Sequence, residues 1–266
     1  MALPQNTILF LGFVLVVVAL TWLHHARVSG GRLPVRRPLP ALETLRAALG
    51  RGAETGQAVH VSPGASALGA ADGSRATAAE LLAGLLVAER VAGEAALNGA
   101  PILLSSGDVV AHLALRGSVR QAYQVAGQAQ DYDPARVQLL AHRDDLAYAV
   151  GITTLHARQP LEASATIGGF GQEYLLIGED GAQRGLPQVA GTTGSVALPL
   201  MMLTTPATLI GEEIFAAEAY LGPPGPAAAR LLTQDVLRSA AIVLLLGGFV
   251  YGLIQPSLGL PPLPGL

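Results

Sequence analysis

QAVHVSPGASALGAADGSRATAAELLAGLLVAERVAGEAALNGAPILLSSGD occupies residues 57–108, and its punctuation decides the fold. The run QAVHV (57–61) is short and apolar, as a buried strand is. A loop rich in glycine and serine follows it. TAAELLAGLLVAERVAGEAAL (77–97) then reads as a long helix, with Thr77 as N-cap and Glu80 three residues on completing a capping box. PILLS (101–105) is the next strand. A strand, a helix and a strand of these lengths make a parallel βαβ unit.

The same alternation continues outward. DVVAHLALRGSVRQAYQVAG (108–127) reads as a helix capped by Asp108, RVQLLA (136–141) as a third strand, and 144–158 as a helix. EASATIG (162–168) is a fourth strand, GGFG a turn, and QEYLLIGEDGAQRG (172–185) a helix. Then come PQVAG (187–191), the apolar segment SVALPLMML (195–203), and ATLIG (207–211) leading into EEIFAAEAYLG (212–222). The expected fold is α/β and Rossmann-like: a mostly parallel sheet of about five or six strands with helices on both faces. Covered on both sides, its strands should be continuously apolar.

Both chain ends differ from this body. Residues 1–26 and 239–266 contain no Asp, Glu, Arg or Lys. TILFLGFVLVVVALTWL (7–23) approaches the roughly 20 apolar residues that cross a bilayer. No basic segment precedes it and no small-residue cleavage site follows, so it reads as an uncleaved anchor. SAAIVLLLGGFVYGLI (239–254) reads as a second span, entered by a helix that starts beyond the GPPGP joint at 222–226.

The expected segments are therefore a transmembrane helix at 1–26, a basic, proline-rich juxtamembrane linker with a short helix at 27–56, a cytoplasmic α/β domain at 57–237, and a transmembrane helix with an apolar tail at 238–266. Arg27, Arg32, Arg36 and Arg37 follow the first span and Arg238 precedes the second, which by the positive-inside rule puts the body in the cytoplasm and both termini outside. These arginines suit anionic headgroups of the lipid bilayer. The stretch 27–51 carries six Arg and one Glu, whereas 52–235 carries nine Arg against eighteen acids. So acidic a body argues against nucleic acid as a partner.

The absence of cysteine excludes thiol nucleophiles, disulfides and CxxC metal sites. All sixteen basic residues are arginine, which excludes a Schiff-base lysine and a Walker A lysine. His60, His112, His142 and His156 form no HxxxH pair, and Glu212, Glu213 and Glu218 are spaced as a solvent-facing acidic helix start; no metal and no cofactor is expected.

In an open parallel sheet, ligands bind beyond the carboxyl ends of the strands. Three loops belong on that rim: SPGASALGAADG after the first strand, SSGD after the second and GGFGQE after the fourth. The candidate ligand residues are Ser62, Gly64, Ser66, Gly69, Arg75, Ser105, Ser106, Asp108, Gly169 and Gly171. The first loop could cradle an anion on its backbone amides, although it matches neither GxGxxG nor the P-loop. In the fourth-strand loop, Tyr174 replaces the third fingerprint glycine, and Glu173 at the helix start would repel a pyrophosphate. That loop therefore reads as a structural turn.

The motifs HVSPG, GGFGQE, AGTTG and IGEEIFAAEAYL, in that order, resemble an uncharacterised bacterial membrane-protein family, a domain of unknown function. The resemblance implies a bacterial plasma-membrane protein and brings no activity, cofactor or catalytic residue with it. With no coherent acid–base, nucleophile or metal constellation, the leading expectation is a non-catalytic scaffold or subunit of a membrane complex, with protein partners or a homo-oligomer. The alternatives are a sensor or binding domain for a small anionic metabolite or nucleotide at the rim, and a hydrolase or transferase using rim carboxylates such as Asp108 or Glu173.

Overall fold

The structure, a computed structural model, describes residues 5–31, 37–65, 75–222 and 225–258. In chain order its elements are α1 (Gln5–Ser29), α2 (Pro40–Thr55), β1 (Ala58–Gly64), α3 (Arg75–Asn98), β2 (Ile102–Ser106), α4 (Val109–Val125), β3 (Val137–Leu139), α5 (Asp145–Arg158), β4 (Leu161–Gly169), α6 (Tyr174–Gln183), β5 (Gln188–Thr192), α7 (Ala197–Thr204), β6 (Ala207–Ile210), α8 (Glu213–Leu221) and α9 (Pro226–Leu258). The chain divides into two compact units, Arg37–Pro223 and the pair Met1–Arg36 with Pro224–Leu266.

The body is a six-stranded sheet in the order β3-β2-β1-β4-β5-β6, with every neighbouring pair parallel. Each strand overlaps a run singled out from the sequence. The direction of winding reverses at β1, whose two neighbours are β2 and β4, as in a doubly wound dinucleotide fold. Helices cover both faces. α2, α3, α4 and α8 pack on one, through Leu45, Leu49, Val91, Leu115 and Ile214, and α5, α6 and α7 pack on the other, through Tyr148, Ile152, Tyr174, Ile177 and Met201.

Two local expectations are corrected. Helix α3 begins at Arg75, so Thr77 lies inside its first turn and is not the N-cap. The contacts Glu80 makes with the described residues lie elsewhere. Its Oε1 accepts the Thr193 N–H at 2.7 Å and the Thr192 hydroxyl at 3.3 Å, tying α3 to the loop after β5. The segment 195–203 is largely helix α7. Glu218 does not face solvent: it is 7% exposed and pairs with Arg90 of α3 at 3.0 Å.

The strands are not continuously apolar either. Residues facing the α3 side are Val59, Val61, Ile102, Leu104, Ala163, Ala165, Ile167 and Val189, all in one apolar core. Their alternates include the polar His60, Ser62, Ser105, Ser164, Thr166 and Gln188, all six buried, beside the apolar Leu103 and Ala190. Side chains alternate across a strand, so the face beneath α5 and α6 is largely polar. Burying such groups is tolerated only where they find hydrogen-bond partners.

In the other unit, α1 and α9 pack together through Val28, Ala228 and Ala229, and His24 Nδ1 lies 3.0 Å from Thr233 Oγ1 in a buried contact. Helix α9 is continuous for 33 residues, from Pro226 in its first turn into the apolar segment. Phe10–Ser29 and Pro226–Gly252 are long and apolar enough to cross a membrane. Their apolar side chains, among them Phe10, Leu15, Val18, Leu244, Leu245 and Phe249, are exposed.

Candidate functional site at the strand ends

The rim at the carboxyl ends of β1, β2 and β4 is drawn tight by glycine. Gly64 pairs with Gly169 in register, and a Cβ on Gly64 would lie 2.0 Å from the Gly169 carbonyl oxygen. A Cβ on Gly168 would lie 2.1 Å from the Pro63 oxygen, and both Gly64 and Gly168 have positive φ, +106° and +146°. Here the backbones of two strands occupy the space a side chain would need. The Gly171 N–H donates to Glu173 Oε1 at 2.7 Å, so the turn's own carboxylate takes the amide that an anion would use. Glu173 is buried, and desolvation raises its pKa, partly offset by that N–H.

Beneath the rim lies a polar cluster. The Tyr148 hydroxyl of α5 bonds Ser62 Oγ. The Gly64 N–H donates to Ser62 Oγ at 3.2 Å. Burial pushes Tyr148 up to about 12 despite these bonds. Ser105 Oγ lies 2.9 Å from His60 Nε2, and His60 Nδ1 lies 2.9 Å from Ser164 Oγ. Ser164 Oγ in turn lies 3.1 Å from His156 Nε2, and His156 Nδ1 lies 3.1 Å from Asp180 Oδ2. Asp180 also accepts from Arg184 Nε at 2.9 and 3.0 Å. Desolvation, reinforced by the neighbouring His156, lowers His60 to about 3; desolvation also lowers His156, against the opposing pull of Asp180.

Asp180, His156 and Ser164 stand in the order of an acid–imidazole–hydroxyl triad. Ser164 is 1% exposed in the middle of β4, which leaves a substrate carbonyl no approach to its oxygen. The array is therefore built as an interior network. None of His60, His156, Ser164, Tyr148 or Asp180 was singled out from the sequence for this role, although polar residues at period two in the strand runs, His60 with Ser62 and Ser164 with Thr166, carry the signal.

At the end of β2 the situation is the reverse, with polar atoms lacking partners. Asp108 caps α4 as expected: its Oδ1 accepts the N–H groups of Val110 at 2.9 Å and Ala111 at 3.0 Å. Asp108 is 1% exposed, and its Oδ2 has no hydrogen-bond partner among the described residues. His142 Nδ1 stands 3.7 Å from that oxygen. The Ser106 hydroxyl and His112 Nδ1, buried nearby in sequence, likewise lack partners among the described residues.

The candidates thus sort by place. Ser62, Gly64 and Ser105 are bound into the interior network, Gly169 and Gly171 into the turn, and Ser106 and Asp108 have unused capacity. Arg75 opens α3, while Ser66 and Gly69 lie outside the described residues. Of the collar, Arg27 sits in the last turn of α1 and Arg238 in α9, Arg37 pairs with Glu213 of α8, and Arg32 and Arg36 lie outside the described residues. Among the described residues no group of three or more His, Cys, Asp or Glu could hold a metal ion.

Fold and site together define the class: a doubly wound α/β domain carried in one chain with two helices long and apolar enough to span a membrane. Residues 2–259 match the family described as Domain of unknown function (DUF6754), and the chain belongs to that family. No curated protein matches the chain. No solved structure matches it.

Proposed function

We propose that the chain is a membrane-anchored binding domain that holds a small hydroxyl-bearing metabolite, such as a nucleoside or nucleotide, at the carboxyl end of β2. The carrying observation is a pair of buried polar groups there, Asp108 Oδ2 and the Ser106 hydroxyl, that have no hydrogen-bond partner among the described residues. Buried polar atoms in folded proteins are nearly always satisfied, and an exception calls for a bound group. The strand order supports the same corner, because in doubly wound sheets with this order an acid near the end of the second strand takes the ribose hydroxyls. The proposed setting is a bacterial plasma membrane crossed twice, with the body cytoplasmic and both termini outside, supported by the arginine collar. A reporter fused to each terminus tests that topology.

Thermal denaturation of the purified full chain against a panel of nucleosides, nucleotides and phosphorylated metabolites tests the binding. A ligand at 100-fold its Kd stabilises by about 2.7 kcal/mol. Asp108→Asn keeps the helix cap, since Asn and Asp cap equally well, and should abolish the shift. A panel with no shift at all would remove this reading.

A second reading, a scaffold or complex subunit, is favoured by a different observation. Val109, Val110, Leu146, Leu175, Leu176 and Val196 are 38–61% exposed, and all stand at the starts of helices that leave the same strand-end rim. Exposed apolar side chains gathered at one end of a sheet are candidates for contact with other molecules. Light scattering of the detergent-solubilised chain tests it: a strict monomer that brings no partner with it counts against it.

A further inference from the structure

The buried network beneath the rim has ends of different kind. At one end stands the Ser105 hydroxyl, which can give or take a proton in a hydrogen bond. At the far end stands the Asp180 carboxylate, which accepts from Arg184 just beyond the end of α6. Between them each hydroxyl has one proton to give, and each neutral imidazole has one donor and one acceptor nitrogen. Both rings are held neutral by burial, with Asp180 and Arg184 the charged groups facing His156, His156 facing His60, and Glu173 facing Tyr148.

Only one arrangement satisfies every contact. Ser105 donates to His60 Nε2, His60 Nδ1–H to Ser164, Ser164 to His156 Nε2, and His156 Nδ1–H to Asp180. We infer that this network is a one-way orientation relay in which the Asp180 carboxylate fixes both histidine tautomers and, through them, the direction in which the Ser105 hydroxyl points near the end of β2. In the reverse arrangement each ring gives up its proton at Nδ1 and carries one at Nε2, and each hydroxyl turns over. Protons are conserved, and Ser105 then directs its proton away from His60. A change in charge at Asp180 is therefore felt at Ser105, near the carboxyl end of β2. The inference is independent of the ligand reading, because its test contains no ligand.

The experiment is nitrogen NMR of the full chain, labelled with 15N-histidine, in detergent micelles or nanodiscs. Ring nitrogen shifts and couplings report which nitrogen carries the proton. In the wild type, His60 and His156 should both be protonated at Nδ1 and unprotonated at Nε2. Asp180→Ala, which removes the acceptor from a partly exposed position, should move the proton toward Nε2 in both rings. In a Ser164→Ala background the same change should reach His156 and leave His60 as it was. A His60 ring protonated at Nε2 in the wild type would overturn the relay without any variant. So would a His60 signal that ignores Asp180→Ala while Ser164 is intact.

Discussion

Gly64 and Gly169 meet across β1 and β4 so closely that a Cβ on the first would fall 2.0 Å from the carbonyl oxygen of the second. Nothing flexible lies there to yield, because both sides of the contact are backbone. The rim geometry, and with it the placing of Ser62 and Tyr148, rests on that approach.

Gly64→Ala should therefore cost about 2–4 kcal/mol, combining the clash with the positive φ of +106°. Gly117→Ala is the matched control. It lies within α4 with nothing within 4 Å of its Cβ position, and should stabilise by about 0.5–1 kcal/mol. Denaturant unfolding of the two variants measures the contrast, and similar effects would refute the close-approach account.

Acid should weaken the fold earlier than carboxylate titration would. His60 is neutral in the native state with its pKa lowered to about 3, while the unfolded chain takes up its proton near 6.5. Below pH 6.5 the unfolded state thus binds more protons, and stability falls as pH falls, by about 1.4 kcal/mol per unit for this one group until its native pKa is reached. His156, also lowered, adds in the same direction. Unfolding free energies at pH 7.5, 6.5 and 5.5 for the wild type and His60→Gln should show a shallower slope in the variant. Parallel slopes would show that His60 does not titrate this way.

Glu80 is the brace between α3 and the TTG loop. Glu80→Ala leaves the Thr193 N–H without its acceptor, and should cost about 1–3 kcal/mol. Amide hydrogen exchange should rise at Thr193 specifically, and an unchanged rate there would mean that Glu80 does not hold the loop.

His24 and Thr233 should be coupled. A double-mutant cycle with His24→Leu and Thr233→Val should return an interaction of about 0.6 kcal/mol, the usual size for polar contacts between membrane helices. A coupling indistinguishable from zero would mean that the contact contributes no stability.

Much of the fold was legible because glycine and proline bound each short strand run, and because every strand is followed by a helix. Where the sequence misled, a tertiary partner had overridden a local signal. Thr77 and Glu80 have the spacing of a capping box, yet Glu80 is drawn to Thr193 more than a hundred residues away. Glu218 has the look of a surface acid, and Arg90 on another helix takes it inside. Helix α7 was not resolved because ALPLMMLT is apolar nearly throughout and so displays no period. The polar sheet face was present as alternation in HVS and SAT, but a strand covered on both sides is expected to be apolar on both, and that expectation hid it.

The pairing of α1 with α9 has a consequence in time. His24 and Thr233 are separated by 209 residues, so the first helix must leave the ribosome without its neighbour. At about 5–20 residues per second, ten to forty seconds pass before the second is made. The whole α/β body is synthesised in that interval and can fold as a unit. Its folding before the two helices meet removes chain freedom that their closure would otherwise cost.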